Sequence, residues 1–248
     1  MKTTNCMKIL PLLSILAVSL TLAPAAPGLA ADLSQNEAKR LLQDTTTIAA
    51  YLDLKGESDY ENKPGNVIKA ALFGAYDAKM SFAYEQQRLK EEGKKPLPGN
   101  AALFSVNGQP VRADMVLRRE DAPDVFKNLS ESFTCFITRD AAELAALHFT
   151  GHAIKEHSAL KGDEFFGDTI LNDKGYFVSI DGLGDTATEA VLKKVAPQGD
   201  GFVLTGEVVE VMGDPDERKK PGAFRLELKP GDAPGTWKRQ YTEKDAAQ

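Results

Sequence analysis

Phe224-Arg-Leu-Glu-Leu228 alternates apolar and charged side chains one by one. Successive side chains of a strand point to opposite faces, so this order puts Phe224, Leu226 and Leu228 on a packed face and Arg225 and Glu227 in water. Working outward, β-like runs recur at 177–180, 190–195, 202–211, 223–228 and 236–241. Between them lie Asp181-Gly-Leu-Gly-Asp185, Pro197-Gln-Gly-Asp-Gly201, Gly213-Asp-Pro-Asp216 and Pro230-Gly-Asp232, rich in the residues that tight turns require. Evenly spaced strands with such turns predict an antiparallel meander.

Upstream the periodicity is helical. Ser34-Gln-Asn-Glu37 has capping-box spacing, and Leu41, Leu42, Ile48, Ala49 and Leu52 follow at near-helical intervals before Gly56. Pro64-Gly-Asn66 opens a second run, 67–90, with Ile68, Leu72, Phe73, Tyr76, Met80 and Phe82 on a broad apolar face. Gly93-Lys-Lys-Pro-Leu-Pro-Gly99 cannot continue it. Two apolar runs, 101–106 and 111–117, flank Asn107-Gly108, a pair that tolerates positive φ and predicts a hairpin with Pro110 at its edge. Asp121-Ala-Pro-Asp124 is expected to start a helix through Phe126 and Leu129. Asp140-Ala-Ala-Glu143 is expected to start another that runs to Gly151.

Helices first and a meander after them give an α+β class. From about Asp140 to Tyr241 the element order resembles the cystatin-like or NTF2-like outline, which implies a helix packed on a curved antiparallel sheet. The organisation expected is a leader at 1–30, a helical region at 31–92, a Pro/Gly linker at 93–100 and an α+β domain at 101–248.

Lys2 and Lys8, the apolar run from Ile9 to Leu22 and the small-residue exit Gly28-Leu-Ala30 follow the three-part pattern of a secretory signal, with cleavage before Ala31. The run is shorter than the ~20 residues a membrane span needs. Cys6 precedes it, which disfavours a lipid anchor. Removing Lys2 and Lys8 from the 30 basic residues leaves 28 against 36 acidic ones, a net charge of −8. Arg118-Arg119, Lys193-Lys194 and Arg218-Lys-Lys220 are too short and scattered for a phosphate-binding stripe, so nucleic acid is not the expected partner. The expectation is a secreted or periplasmic protein with no stable membrane anchor, serving a small-molecule or protein partner.

All three histidines, His148, His152 and His157, fall within ten residues, and an i, i+4 pair on one helix face can hold a metal. They are the candidate zinc ligands, with Glu156 close by in sequence. Gly151 stands against them, since it ends helices and would break the shared face. Cys135, the one cysteine left after the leader, sits in Phe133-Thr-Cys-Phe-Ile137 and reads as a buried hydrophobe; a thiol paired with His148 is the minority reading. Glycine-acid segments at 162–168, 172–175 and 181–185 lack the ligand rhythm of a calcium loop and read as turns. Phe73, Tyr76, Phe82 and Tyr84, with Phe165 and Phe166, could line an apolar pocket or fill a core. Nucleophile-elbow and phosphate-loop motifs are missing from the sequence. The expected function is therefore a non-catalytic exported binding or accessory protein without a required cofactor. The alternative is a small metal- or thiol-assisted enzyme using the histidine cluster or Cys135.

Overall fold

Ser34 caps the first helix, α1 (Gln35–Leu52), by accepting a hydrogen bond from the Glu37 N–H at 3.2 Å. The chain is described here by a computed structural model covering residues 33–180, 187–211 and 222–244. The expected leader, the Asp181–Asp185 and Gly213–Asp216 turns and the basic run Arg218-Lys-Lys220 lie outside the described residues. After α1 come α2 (Glu57–Glu61) and α3 (Pro64–Glu91), a hairpin of β1 (Ala102–Val106) and β2 (Gln109–Arg112), then β3 (Val116–Arg118) and β4 (Cys135–Thr138). Helix α4 (Arg139–Thr150) precedes β5 (Ile170–Leu171) and β6 (Gly175–Val178). The chain closes with β7 (Ala187–Gln198), β8 (Gly201–Val211), β9 (Gly222–Pro230) and β10 (Trp237–Lys244). Among the described residues no helix is long and apolar enough to cross a membrane.

The class is α+β, and the meander is present: β7 to β10 form one antiparallel sheet in the order β10-β9-β8-β7. Phe224, Leu226 and Leu228 are buried while Ala223 and Arg225 are exposed. The helix on that sheet is α1, however, and not the one that begins near Asp140. Ala38, Leu41, Leu42 and Ala49 form one core with Phe202, Leu204, Val208, Phe224, Leu226, Leu228 and Tyr241. The buried face of α4 is instead alanine-rich, Ala141, Ala142, Ala145 and Ala146, and small side chains let it lie close against α3 in the other core. Gly74 marks the approach: a Cβ there would stand 2.4 Å from the Phe149 ring.

The run 177–180, expected as the first meander strand, belongs to a second sheet, ordered β3-β4-β6-β5. All four residues of β6 are buried, which requires a covered position and not a half-wet edge. Phe136 pairs with Phe177 and Ile137 with Tyr176. The 121–129 segment is likewise not an α-helix but one 3₁₀ turn, Pro123–Phe126. Arg119 takes up the carbonyls that follow it, donating to Phe133 O at 2.7 Å and Ser130 O at 2.5 Å. Helix α4 is capped by Thr138, whose hydroxyl accepts from the Ala141 N–H at 3.3 Å, so it starts earlier than the Asp140 motif implied.

Local turn readings fit the structure. Asn107 and Gly108 both adopt positive φ, 52° and 76°, between Val106 and Gln109 of the hairpin. The 93–99 stretch is irregular and pinned at its middle, where the Gln86 amide both donates to and accepts from the Leu97 backbone at 2.8 Å.

Candidate functional site

Gly151, left-handed at φ 73°, caps α4 and sends the chain out of the helix before His152. The histidines consequently reach three different surroundings. His148, near the helix C-terminus, is enclosed by Phe104 and Phe149, with its Nε2 3.3 Å from Asp44 Oδ2 of α1. His152 lies against the Tyr60 ring at 5.5 Å and its Nε2 is buried without a hydrogen-bond partner. His157 bridges the Tyr176 hydroxyl at 2.8 Å and Glu143 Oε1 at 2.9 Å. Among the described residues no three His, Cys, Asp or Glu side chains converge in a way that could hold a metal ion.

Cys135 is fully buried in β4, and burial pushes its thiol up to about 12. A thiol so placed is not a ready nucleophile. The acid-glycine segments at 162–168 and 172–175 act as turns: Asp163 Oδ1 accepts from the Phe165 and Phe166 N–H groups and Asn172 Oδ1 from Lys174 and Gly175, all at 2.9 Å. Of the aromatic group, Phe73 and Phe166 are core, Phe165 packs against Phe73, and Tyr84 is exposed.

What the structure does assemble is a polar network behind a cavity. Arg239 of β10, only 3 % exposed, donates to the His148 carbonyl and to Thr45 Oγ1 at 3.3 Å, and lies 3.9 Å from Asp44 Oδ2. The His148 carbonyl is one of the last in α4, where a helix leaves acceptors unfilled and a cation is favoured. Burial holds the His148 imidazole below its ordinary range, with Asp44 pulling the other way. The ring is therefore neutral at pH 7. Asp44 Oδ2 is closed off from solvent, and neither neighbour gives it a well-formed hydrogen bond.

In front of Asp44 a cavity of about 360 Å³ opens between α1, α3 and α4. Its walls include Asp44 and Thr47 of α1, Asp77 and Ser81 of α3, and the rings of Tyr51, Phe73 and Phe149. Asp77 lies one turn from Gly74 on α3, so the close approach of α4 at Gly74 and the carboxylate share one face. Burial first, and the Asp44 charge second, hold the Asp77 carboxyl above its usual range. No cation or hydrogen-bond donor among the described residues offsets it.

Of the histidines only His148 touches this arrangement, and it stands in the supporting network, not in the cavity wall. Sequence reading missed Asp44, Asp77 and Arg239. One signal was present for Asp77, a lone acid inside an otherwise apolar helical face between Phe73 and Met80. Compared with known proteins, the chain matches no family model, and no curated protein or solved structure matches it. The structure itself defines an α+β molecule in which α1, α3 and α4 enclose an acidic cavity with aromatic rings in its wall.

Proposed function

We propose that this chain is an exported, non-catalytic binding protein whose ligand occupies the cavity between α1, α3 and α4. The observation that carries the reading is Asp77, a largely buried carboxylate without a partner among the described residues, on the wall of a cavity of about 360 Å³. That volume falls in the range of small-molecule sites, about 300–1,000 Å³, which combine apolar walls with a few polar groups. A buried charge is costly unless paired, and a ligand that pairs it recovers that cost on binding. The leader pattern at 1–30 supports export. The buried Cys135 thiol and the dispersed histidines supply no nucleophile or metal cluster beside the cavity, which favours holding a ligand over transforming it.

The test is methyl and aromatic NMR of the protein without its leader, titrated with small cationic, neutral and anionic aromatic compounds. Saturable shifts centred on Ile48 and Phe149 are expected, with the bound compound recovered unaltered. If the whole set leaves these resonances in place, the cavity does not bind; if a compound is recovered chemically changed, the protein belongs among enzymes.

A further inference from the structure

Charge on the cavity wall is one-sided. Asp44 and Asp77 both line it, and among the described residues its walls include no Lys, Arg or His. Arg239 lies behind Asp44, 3.9 Å from Oδ2, and does not line the cavity, so it offsets one carboxylate from outside and leaves Asp77 unmatched. The remaining surface divides between hydroxyls and amide, from Thr47, Ser81 and Gln43, and rings, with Tyr51 and Phe73 5.4 Å apart between centroids. A carboxylate supplies acceptors only, and aromatic faces attract cations. A bound anion would meet two like charges and no donor stronger than a hydroxyl or amide. Bound neutral molecules would leave Asp77 uncompensated.

We propose that the cavity selects a small organic cation, an ammonium group on an apolar or aromatic body, with the ammonium on Asp77 and the body against Tyr51 and Phe149. This rests on the binding reading above and specifies its ligand class. The ammonium donates hydrogen bonds to Asp77, while Asp44, whose Oδ2 is turned into the buried network with His148 and Arg239, adds its negative charge to the same wall. The upward displacement of the Asp77 carboxyl by burial and by Asp44 agrees with a site that lacks its counter-charge when empty. An inorganic divalent ion would use the two carboxylates but not the rings, and no third His, Cys, Asp or Glu ligand converges there among the described residues.

Calorimetry with three near-isosteric probes, phenethylammonium, 2-phenylethanol and phenylacetate, together with zinc and calcium chlorides, tests the assignment. Phenethylammonium is expected to bind at least about tenfold more tightly than 2-phenylethanol, the scale of one charge-assisted hydrogen bond, and phenylacetate more weakly still. Asp77→Asn should lose about tenfold in ammonium affinity while melting no lower than the parent when empty, since it removes an uncompensated buried charge. Asp77→Ala gives a second reading should the amide itself bond across the cavity. If the alcohol or phenylacetate binds as well as the ammonium, with shifts at Ile48, the cation assignment is overturned and the binding reading stands. If a metal chloride binds through Asp77 and the ammonium does not, the cation assignment also falls. Silence from every probe, here and in the NMR titration, removes both.

Discussion

At the scale of single residues the most exacting placement is Arg239. It is 3 % exposed and reaches from β10 to the end of α4 and to α1, through the His148 carbonyl, Thr45 and Asp44. Removing one member of a buried ion pair strands the other and costs about 3–5 kcal/mol, which for a chain of this length lowers the melting temperature by about 10 °C. Arg239→Met is expected to show that loss in thermal denaturation. Adding Asp44→Asn should restore a good part of it, and equal melting of the single and double variants would show that Arg239 acts by packing alone. Cys135 is the opposite case, a polar group made inert by its surroundings. Its thiol is expected to stay unlabelled by a disulfide reagent in native buffer and to react fully once guanidinium unfolds the chain; rapid native labelling would contradict its burial in β4.

Elements are positioned by a few close approaches, and Gly151 tests one. Its φ is 73°, and a Cβ there would stand 2.3 Å from the Trp237 carbonyl carbon and 2.4 Å from its oxygen, so α4 ends directly on β10. Gly93 has a similar φ, 66°, with nothing within 4 Å of the position a Cβ would take. Gly93→Ala should therefore cost only the left-handed penalty, about 1 kcal/mol. Gly151→Ala carries the same penalty plus a backbone collision and should cost at least about 2 kcal/mol more. Urea melts of the two variants read the difference, and equal losses would mean that α4 and β10 do not meet as described. This contrast also marks what was legible in sequence. The Ser34 cap, the Asn107-Gly108 hairpin and the Gly151 stop depend on neighbours in the chain, and a residue's own chemistry settles them. Which apolar helical face covers which sheet depends on partners far away: Ala38, Leu41 and Leu42 meet Leu226 and Leu228 from the other end of the molecule. Periodicity announces such a face without naming its partner, so the sheet's covering helix was misassigned. The cavity was hidden for the same reason, since Asp44 and Asp77 are ordinary polar positions on two helices until those helices are packed side by side.

For the whole molecule, acid should act where β10 meets α4. Arg239 of β10 bonds to the His148 carbonyl, and the Gly151 carbonyl accepts from the Asp232 N–H at 2.8 Å. Two of the three histidines stand along this junction. His148 faces Asp44 with Arg239 and Arg40 nearby, and its ring contacts Phe104 and Phe149. His152 faces Tyr60, with Lys238, Asp232, Glu57 and Glu61 around it. Burial comes first in lowering both imidazoles from their ordinary value, seconded at His152 by Lys238 and opposed at His148 by Asp44. A folded-state value below the unfolded one means that the unfolded chain binds protons first as pH falls. The contribution to stability is thus complete above the unfolded value, about 6.5, and is lost progressively as pH drops from there toward the folded values. Asp77, displaced upward, runs the other way: its favourable contribution lies below the ordinary carboxylate range and is lost as pH rises, so it does not produce a fall on acidification. The melting temperature is therefore expected to be level from pH 8 to about 7 and to decline as pH falls below about 6.5, before the paired carboxylates titrate. Trp237, the only tryptophan, sits on β10 beside Phe202, with ring centroids 5.5 Å apart, and its emission reports the junction directly. Replacing His148 and His152 together by Gln should flatten the decline, because neither position then gains a proton on unfolding. A decline of unchanged size in that double variant would place the acid-sensitive groups elsewhere, whereas a flattened one ties the molecule's acid limit to the two imidazoles, His148 against Asp44 and Phe104 and His152 against Tyr60.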